Sequence, residues 1–224
     1  MYIKRHIEDV VRKAAKMFSA VLITGPRQVG KTTLLENMLT GLGYVSFDNP
    51  VTLMMAKEEP GNFFQKHSTP LIIDEVQYAP ELFPYIKMAA DRSGETGLFY
   101  LTGSQSFHMM KNVTETMAGR VGIISMQGLT LREVYGVPCN KPFVPTEEYF
   151  SLRSKFIKDI SYNEIFKRIH KGHMPALEDD EKDIELFYES YLHTYIRRDV
   201  RDLTQIGNLS DFVKFMAVVA ARTA

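Results

Sequence analysis

Short apolar runs alternate with helical patterns along the first part of the chain. Five runs have the length and boundaries of buried β-strands: Ala20–Ile23, Tyr44–Asp48, Leu71–Ile73, Leu98–Leu101 and Val121–Met126. Apolar residues recur at helical spacing before the first run, from Ile3 to Phe18, and between later runs, from Pro80 to Asp91. Strands separated by helices predict an α/β fold with a parallel, doubly wound sheet, which binds ligands at the carboxyl ends of its strands.

The pattern changes after about Gly136. A turn-rich connector over residues 137–145 is followed only by helical patterns, at Glu147–Ile157, Tyr162–His170 and Asp180–Leu203. We therefore predict an α/β core over residues 1–136, then a small helical lid and the start of a C-terminal region over residues 137–224. The last of these helical patterns has an apolar stripe, which favours a packed core over a platform for stacked bases. The stripe contains Ile184, Phe187, Tyr188, Tyr191, Leu192 and Tyr195.

A glycine-rich segment follows the first predicted strand. Residues Gly25 to Thr32 fit the pattern G-x-x-x-x-G-K-[ST], and a helical pattern over Thr33–Leu39 comes next. In such a loop, backbone N–H groups surround phosphates at the positive end of a helix dipole. A chance glycine turn is the alternative, and the flanking strand and helix argue against it. We expect nucleotide contacts from Gly25, Pro26, Arg27, Gln28, Val29, Gly30, Lys31, Thr32 and Thr33.

Two residues of this loop carry side-chain chemistry, and two carboxylates follow the third strand. Lys31 can reach the β- and γ-phosphates, and the Thr32 hydroxyl can ligate Mg²⁺. Asp74 is placed to hold the Mg²⁺ shell directly or through water, and Glu75 to orient and deprotonate an attacking water. Strands commonly end in acidic turns, so the pair gains its meaning from the phosphate loop upstream. Glu75 favours hydrolysis over transfer to a small molecule.

The fourth strand runs into a polar turn. Thr102, Ser104 and Gln105 can each hydrogen-bond to water or phosphate, and one of them could sense the γ-phosphate. An ordinary polar turn is the alternative. The order of the three strand ends favours the sensor.

Several segments together resemble a known family. The segments GPRQVGKTT, LIIDEVQYAPELF, FYLTGSQSF, ETMAGRVGIISMQGLTLREV and YLHTYIRRDVRDL are similar to the prokaryotic AAA-type ATPases that carry a C-terminal domain of unknown function. The resemblance implies a P-loop NTPase core with ATP and Mg²⁺ as ligands, then helical, winged-helix and nuclease-like parts. This chain stops at Ala224, inside the apolar helical run Phe212–Ala224, so we expect it to be an N-terminal part of a longer protein.

Two arginine positions allow more than one interpretation. Arg120 lies near the place where related ATPases carry an arginine that reaches the γ-phosphate of a neighbouring subunit. A structural ion pair is an equally weighted alternative. Arg197 and Arg198 suit a second sensor in the lid, but the adjacent Asp199 favours an internal Arg–Asp pair.

Composition adds a few limits. Lys and Arg total 27, as do Asp and Glu, so no overall field attracts nucleic acid or membrane. No run approaches the roughly 18 apolar residues of a membrane span. The one cysteine, Cys139, suits a reducing compartment, and we expect the cytoplasm. The basic residues of the first helix predict a solvated face rather than a DNA contact, and they are Lys4, Arg5, Arg12, Lys13 and Lys16.

Three functions stay open from the sequence. The first is a Mg²⁺-dependent ATP hydrolase whose nucleotide state drives conformational change, and Glu75 favours it. The second is a nucleotide-dependent switch with negligible turnover, acting on DNA through regions outside this chain. The third is a phosphotransferase, for which no acceptor pocket is identifiable. Expected partners are ATP and, through Arg120, further copies of the chain.

Overall fold

The computed structural model describes residues 2–104, 113, 115–138, 141–156, 159–195 and 209–223. Its strands form one parallel sheet in the order β2-β3-β4-β1-β5. The strands are β1 (Ala20–Thr24), β2 (Gly43–Ser46), β3 (Leu71–Asp74), β4 (Phe99–Gly103) and β5 (Val121–Ser125). The predicted α/β class and parallel sheet are confirmed.

Helices connect the strands and continue after them. The connecting helices are α1 (Glu8–Ala15), α2 (Lys31–Met38), α3 (Pro50–Glu58), α4 (Pro60–Lys66) and α5 (Phe83–Ser93), with short 3₁₀ turns at Val76–Tyr78 and Pro80–Leu82. After β5 come α6 (Leu131–Val134), α7 (Glu147–Ser154), α8 (Tyr162–Lys171), a 3₁₀ turn at Pro175–Glu178, α9 (Ile184–Tyr195) and α10 (Leu209–Thr223). Among the described residues, the helices are all too short or too polar to cross a membrane.

The sheet supplies the hydrophobic core. All residues of β1, β3 and β4 are buried, as expected for parallel strands covered on both faces. Leu22, Phe99 and Leu101 are completely buried, and each contributes about 1.5–3 kcal/mol by leaving water. This packing fixes the strands, so their ends form a stable base for loops.

Some predicted elements differ from the observed ones. The second strand ends at Ser46 rather than Asp48, and helices α3 and α4 were not predicted. Asn49 caps α3, because its side-chain oxygen accepts from the N–H groups of Val51 at 3.0 Å and Thr52 at 3.4 Å. With Pro50 as its first residue, the segment is a helix start and not only a strand end.

The chain forms two compact units, residues 1–176 and 177–224. Within the first unit, the Leu129 N–H donates to the His173 carbonyl at 2.8 Å. A Cβ on Gly128 would lie 1.9 Å from the His173 ring, so glycine is needed for this close approach. The domain boundary at residue 136 stays a prediction. In the second unit the predicted stripe on α9 is half-buried from Ile184 to Tyr191, whereas Leu192 is exposed.

Candidate functional site

The loop between β1 and α2 has a backbone that needs glycine. Gly25 and Gly30 have φ values of 145° and 91°, and Gln28 also lies in the left-handed region at 61°. A Cβ on Gly25 would lie 2.0 Å from the carbonyl oxygen of Met126, the residue after β5. The loop is therefore packed directly against the neighbouring strand end.

Lys31 is the first residue of α2 and is only 6% exposed. Its ammonium group donates to the carbonyl oxygens of Gly25 at 3.0 Å and Pro26 at 2.8 Å. The lysine side chain thus turns back across the loop that precedes it. Its positive charge lies beside the N-terminus of a helix, and both features favour an anion there.

Hydrogen bonds to the Asp74 carboxylate join residues of four elements. Its Oδ1 accepts from the hydroxyl of Thr32, at 2.6 Å, and from the hydroxyl of Thr102, while its Oδ2 accepts from the Tyr44 hydroxyl at 3.2 Å. These residues belong to β3, α2, β4 and β2. Burial, together with the negative charge of Asp74, raises the pKa of Tyr44 to about 12, so the phenol stays protonated and donates.

Glu75 directly follows this carboxylate and adopts a left-handed backbone, with φ 58° and ψ 44°. Such a conformation costs roughly 1–3 kcal/mol in a residue other than glycine and concentrates at functional sites. The Glu75 N–H donates to the Thr102 hydroxyl oxygen at 3.1 Å, and its Oε2 accepts from the Gln77 amide. Thr102 therefore joins both carboxylate residues to β4.

Ser104 and Gln105 are the other two residues predicted as a γ-phosphate sensor. Ser104 lies directly after β4, at the same end of the sheet as Asp74. Gln105 falls outside the described residues, as do Arg197, Arg198 and Asp199.

Arg120 lies at the opposite end of the sheet. Its carbonyl oxygen accepts from the Ala20 N–H at 3.0 Å, and Ala20 pairs with Val121 in parallel register. At about 3.3 Å per residue, the five residues of β1 put it roughly 16 Å from the loop between β1 and α2 of its own chain. Its guanidinium donates to Asp91 at 2.8 Å and to the Ala118 carbonyl at 2.9 Å, and both charged side chains are partly exposed. The ion pair predicted as one alternative is thus present.

Several residues near the site were missed in the sequence. Tyr44 was assigned only to a strand, and Gln77 had no role although it lies in the DEVQ block. The Tyr78 hydroxyl oxygen accepts from an Arg27 guanidinium nitrogen at 3.4 Å. Arg5 was assigned to a solvated helix face, which is wrong, because it precedes α1 and is 6% exposed.

The oxygen donors fit a small hard cation. The Thr32 hydroxyl and an Asp74 carboxylate oxygen lie 2.6 Å apart, and Mg²⁺ is usually held by one or two such protein oxygens together with phosphate oxygens. Within the described part of the chain, His, Cys, Asp and Glu form no cluster of three that could hold a metal by itself.

The chain is similar in sequence to proteins from two mycobacteria. Two curated proteins, from Mycobacterium bovis and Mycobacterium tuberculosis, are each 36% identical over 126 residues, and both are described as uncharacterized. The match covers 55% of this chain, and the chain spans 28% of the length of those proteins.

Solved structures show more distant similarity. The Walker-type ATPase of Pyrococcus abyssi is 14% identical, with a TM-score of 0.49 over 92% of this chain and 75% of its own. A signal transduction ATPase with a tetratricopeptide repeat sensor from Pyrococcus horikoshii is 14% identical, with a TM-score of 0.41 over 76% of this chain and 32% of its own.

Family models match in two places. A domain of unknown function covers residues 162–224, and an AAA domain covers residues 17–135. The second match spans more than half of the chain and includes the loop, Asp74 and Thr102. The chain belongs to the AAA domain family.

Proposed function

We propose that this chain binds ATP with Mg²⁺ and hydrolyses it, using the nucleotide state to drive conformational change. Membership of the AAA domain family supports a nucleotide-binding, ATPase-type function in general. The observation that carries the finer proposal is the hydrogen-bonded group around Asp74. It brings the Thr32 hydroxyl from α2 and the Thr102 hydroxyl from β4 to one carboxylate, with Glu75 next in the chain.

Each residue has a defined task in this proposal. The backbone N–H groups from Gly25 to Thr33 and the Lys31 ammonium hold the phosphates. Thr32 and Asp74 would hold Mg²⁺, which neutralises charge on the phosphate oxygens when bound. Glu75 accepts a proton from water as the water oxygen bonds to the γ-phosphorus. The bond from that phosphorus to the bridging oxygen breaks, and ADP and phosphate leave.

Nucleotide binding would rearrange existing contacts. Lys31 must exchange its hydrogen bonds to the Gly25 and Pro26 carbonyls for phosphate oxygens. Thr32 and Thr102 both bind the same oxygen of Asp74, so a change at the phosphate loop reaches the end of β4 directly. This coupling supports a conformational role beyond simple turnover.

One contact favours a second candidate function. The Gln77 amide donates to Oε2 of Glu75, the carboxylate that would act as base. One oxygen of that carboxylate is therefore already engaged by a hydrogen-bond donor. If the contact persists with nucleotide bound, the chain would act as a nucleotide-dependent switch with negligible turnover.

The partners of the whole protein are part of the proposal. Arg120 cannot reach its own phosphate loop, so a catalytic role for it would require a second copy of the chain. DNA would be bound through regions outside these residues, because the balanced charge supplies no attraction here. The single cysteine supports a cytoplasmic location.

The experiment compares phosphate release by the wild type and by Glu75→Gln, with Glu81→Gln as the control at an exposed glutamate a few residues away. We expect Glu75→Gln to bind Mg-ATP normally and to lose about 10²- to 10⁴-fold in kcat, the usual contribution of a general base. Glu81→Gln should match the wild type. Unchanged turnover in Glu75→Gln would refute its role as base, and negligible wild-type turnover with tight binding would favour the switch.

A further inference from the structure

Arg5 is a buried cation next to the phosphate-binding loop. Its Nη1 donates to the Val29 carbonyl at 2.9 Å, and its Nη2 donates to the carbonyls of Gln127 at 2.7 Å and Gly128 at 3.0 Å. Its Nε pairs with Glu133 at 3.1 Å. One guanidinium therefore joins the N-terminal segment to the loop, to the chain after β5, and to α6.

The bond to Val29 acts on a specific peptide group. Val29 precedes Gly30, and the carbonyl of one residue and the N–H of the next lie in one plane and point in opposite directions. When Arg5 holds the Val29 oxygen on one side, the Gly30 N–H is directed to the other side. Gly30 has φ 91° and no Cβ, so its own sterics restrict this peptide weakly.

Arg5 is itself held in place by the carboxylate of Glu133, which also accepts two backbone hydrogen bonds. Glu133 accepts from the N–H of Thr130 at 2.8 Å and from the N–H of His6 at 2.7 Å. Burial alone would raise the pKa of Glu133, but these N–H groups and Arg5 lower it below its ordinary value. The carboxylate is therefore charged at neutral pH and fixes the guanidinium in one orientation.

We propose that Arg5 is a positioning residue for phosphate binding: it holds the Val29 carbonyl so that the Gly30 N–H points toward the bound phosphates. The inference about loop order stands on these contacts, and its consequence for nucleotide affinity rests on the proposed function. Lysine cannot replace arginine here, because three acceptors and a carboxylate need a planar, multi-donor group.

The test compares Arg5→Lys with Arg12→Lys. Arg12 is a matched control because it also forms an ion pair, but with Glu8 of its own helix at 3.3 Å, and its side chain is 54% exposed. Hydrogen exchange of the ligand-free proteins is measured over residues 25–33. We expect exchange there to be about tenfold faster in Arg5→Lys, as for the loss of one buried hydrogen bond, and unchanged in Arg12→Lys.

Affinity gives the second readout. By calorimetry with Mg-ADP and with Mg-pyrophosphate, we expect Arg5→Lys to weaken both by a similar factor of about ten, since the lost order concerns phosphate contacts. A merely structural role would lower the melting temperature while the folded protein kept wild-type affinity, and this result would overturn the proposal. Loss for ADP with no loss for pyrophosphate would overturn it as well.

The remaining outcomes separate the two proposals. If the wild type binds neither probe but Arg5→Lys still loosens the loop, the proposed function fails and the positioning by Arg5 stands. If loop exchange in folded Arg5→Lys equals that of the wild type, the positioning is refuted. Should Arg5→Lys not fold, Glu133→Gln replaces it, with about two- to fivefold faster loop exchange expected and no change as the refuting result.

Discussion

The two ends of the central sheet use their polar groups in different ways. At the carboxyl end, side chains from α2, β2 and β4 converge on Asp74, and Glu75 and Gln28 hold left-handed backbones. At the amino end, backbone N–H groups donate to backbone carbonyl groups. The N–H groups of Leu98 and Phe99 donate to the Ser19 carbonyl at 2.9 and 3.0 Å.

This difference shows why one end suits a ligand. A backbone whose N–H and carbonyl groups already bond to each other offers few groups for a ligand. The ion pair of Arg120 with Asp91 is partly exposed to solvent. The carboxyl end gathers a buried lysine, hydroxyls and a carboxylate, held by a rigid sheet. The chemical contrast follows from the residue types at the carboxyl ends of the strands. Asp74 ends β3 and Thr102 lies near the end of β4, whereas the earlier positions of both strands are aliphatic or aromatic.

The largest expected effect concerns the amino end. If Arg120 acts on the nucleotide of a neighbouring copy, Arg120→Ala should bind ATP normally and lose on the order of a thousandfold in kcat. The ion pair with Asp91 would open to release the arginine. Specific activity of the wild type should then rise with protein concentration, which is measured by phosphate release over a dilution series.

A mixing experiment decides this point. Arg120→Ala combined with Lys31→Ala should recover part of the activity, because one intact composite site can form between the two variants. Concentration-independent activity from a demonstrated monomer, or no recovery on mixing, would limit Arg120 to its ion pair. The amino end would then have no part in catalysis.

A smaller effect is expected from the carboxylate at the carboxyl end. Asp74→Asn keeps the shape of the side chain but removes the charge from the proposed magnesium site. We expect the Mg²⁺ concentration for half-maximal hydrolysis to rise at least about tenfold, since even outer partners of a metal typically contribute that much. An unchanged Mg²⁺ dependence would show that Asp74 is a structural acceptor for Thr32, Thr102 and Tyr44.

The smallest effect should come from the ion pair at the amino end. Asp91→Asn removes a pair whose side chains are 39% and 43% exposed, and such pairs contribute about 0–1 kcal/mol. We expect the free energy of unfolding to change by less than about 0.5 kcal/mol in denaturant titrations. A larger loss would mean that the amino end is held together by side chains after all.

Local sequence patterns predicted the parts of the fold that depend on local chemistry. The candidate phosphate loop could be proposed because the glycine positions, the lysine and the flanking elements occur in one short segment. Helix α8 was also predicted. Its apolar stripe is exposed, and it contains Tyr162, Ile165, Phe166 and Ile169. Periodicity therefore identified the helix but not whether its apolar side is buried.

Contacts between distant segments could not be predicted in this way. Tyr44 reaches Asp74 only because β2 is the neighbour of β3, and strand order is not written in a single sequence. Arg5 reaches Val29 and Glu133 across 24 and 128 positions, and its polar type suggested solvent. Asn49 and Pro50 directly follow the predicted strand Tyr44–Asp48, and in the structure Asn49 caps the helix that Pro50 begins.

The central claim is that the loop from Gly25 to Thr33 binds the phosphates of Mg-ATP. The most direct measurement is calorimetric titration of Mg-ATP into the wild type, into Lys31→Ala, and into Lys57→Ala as a control at an exposed lysine of α3. The wild type and Lys57→Ala should bind with equal affinity, and Lys31→Ala should lose at least about a hundredfold, as expected for a charge-assisted contact to phosphate. Wild-type affinity in folded Lys31→Ala, or no binding by the wild type, would contradict the account.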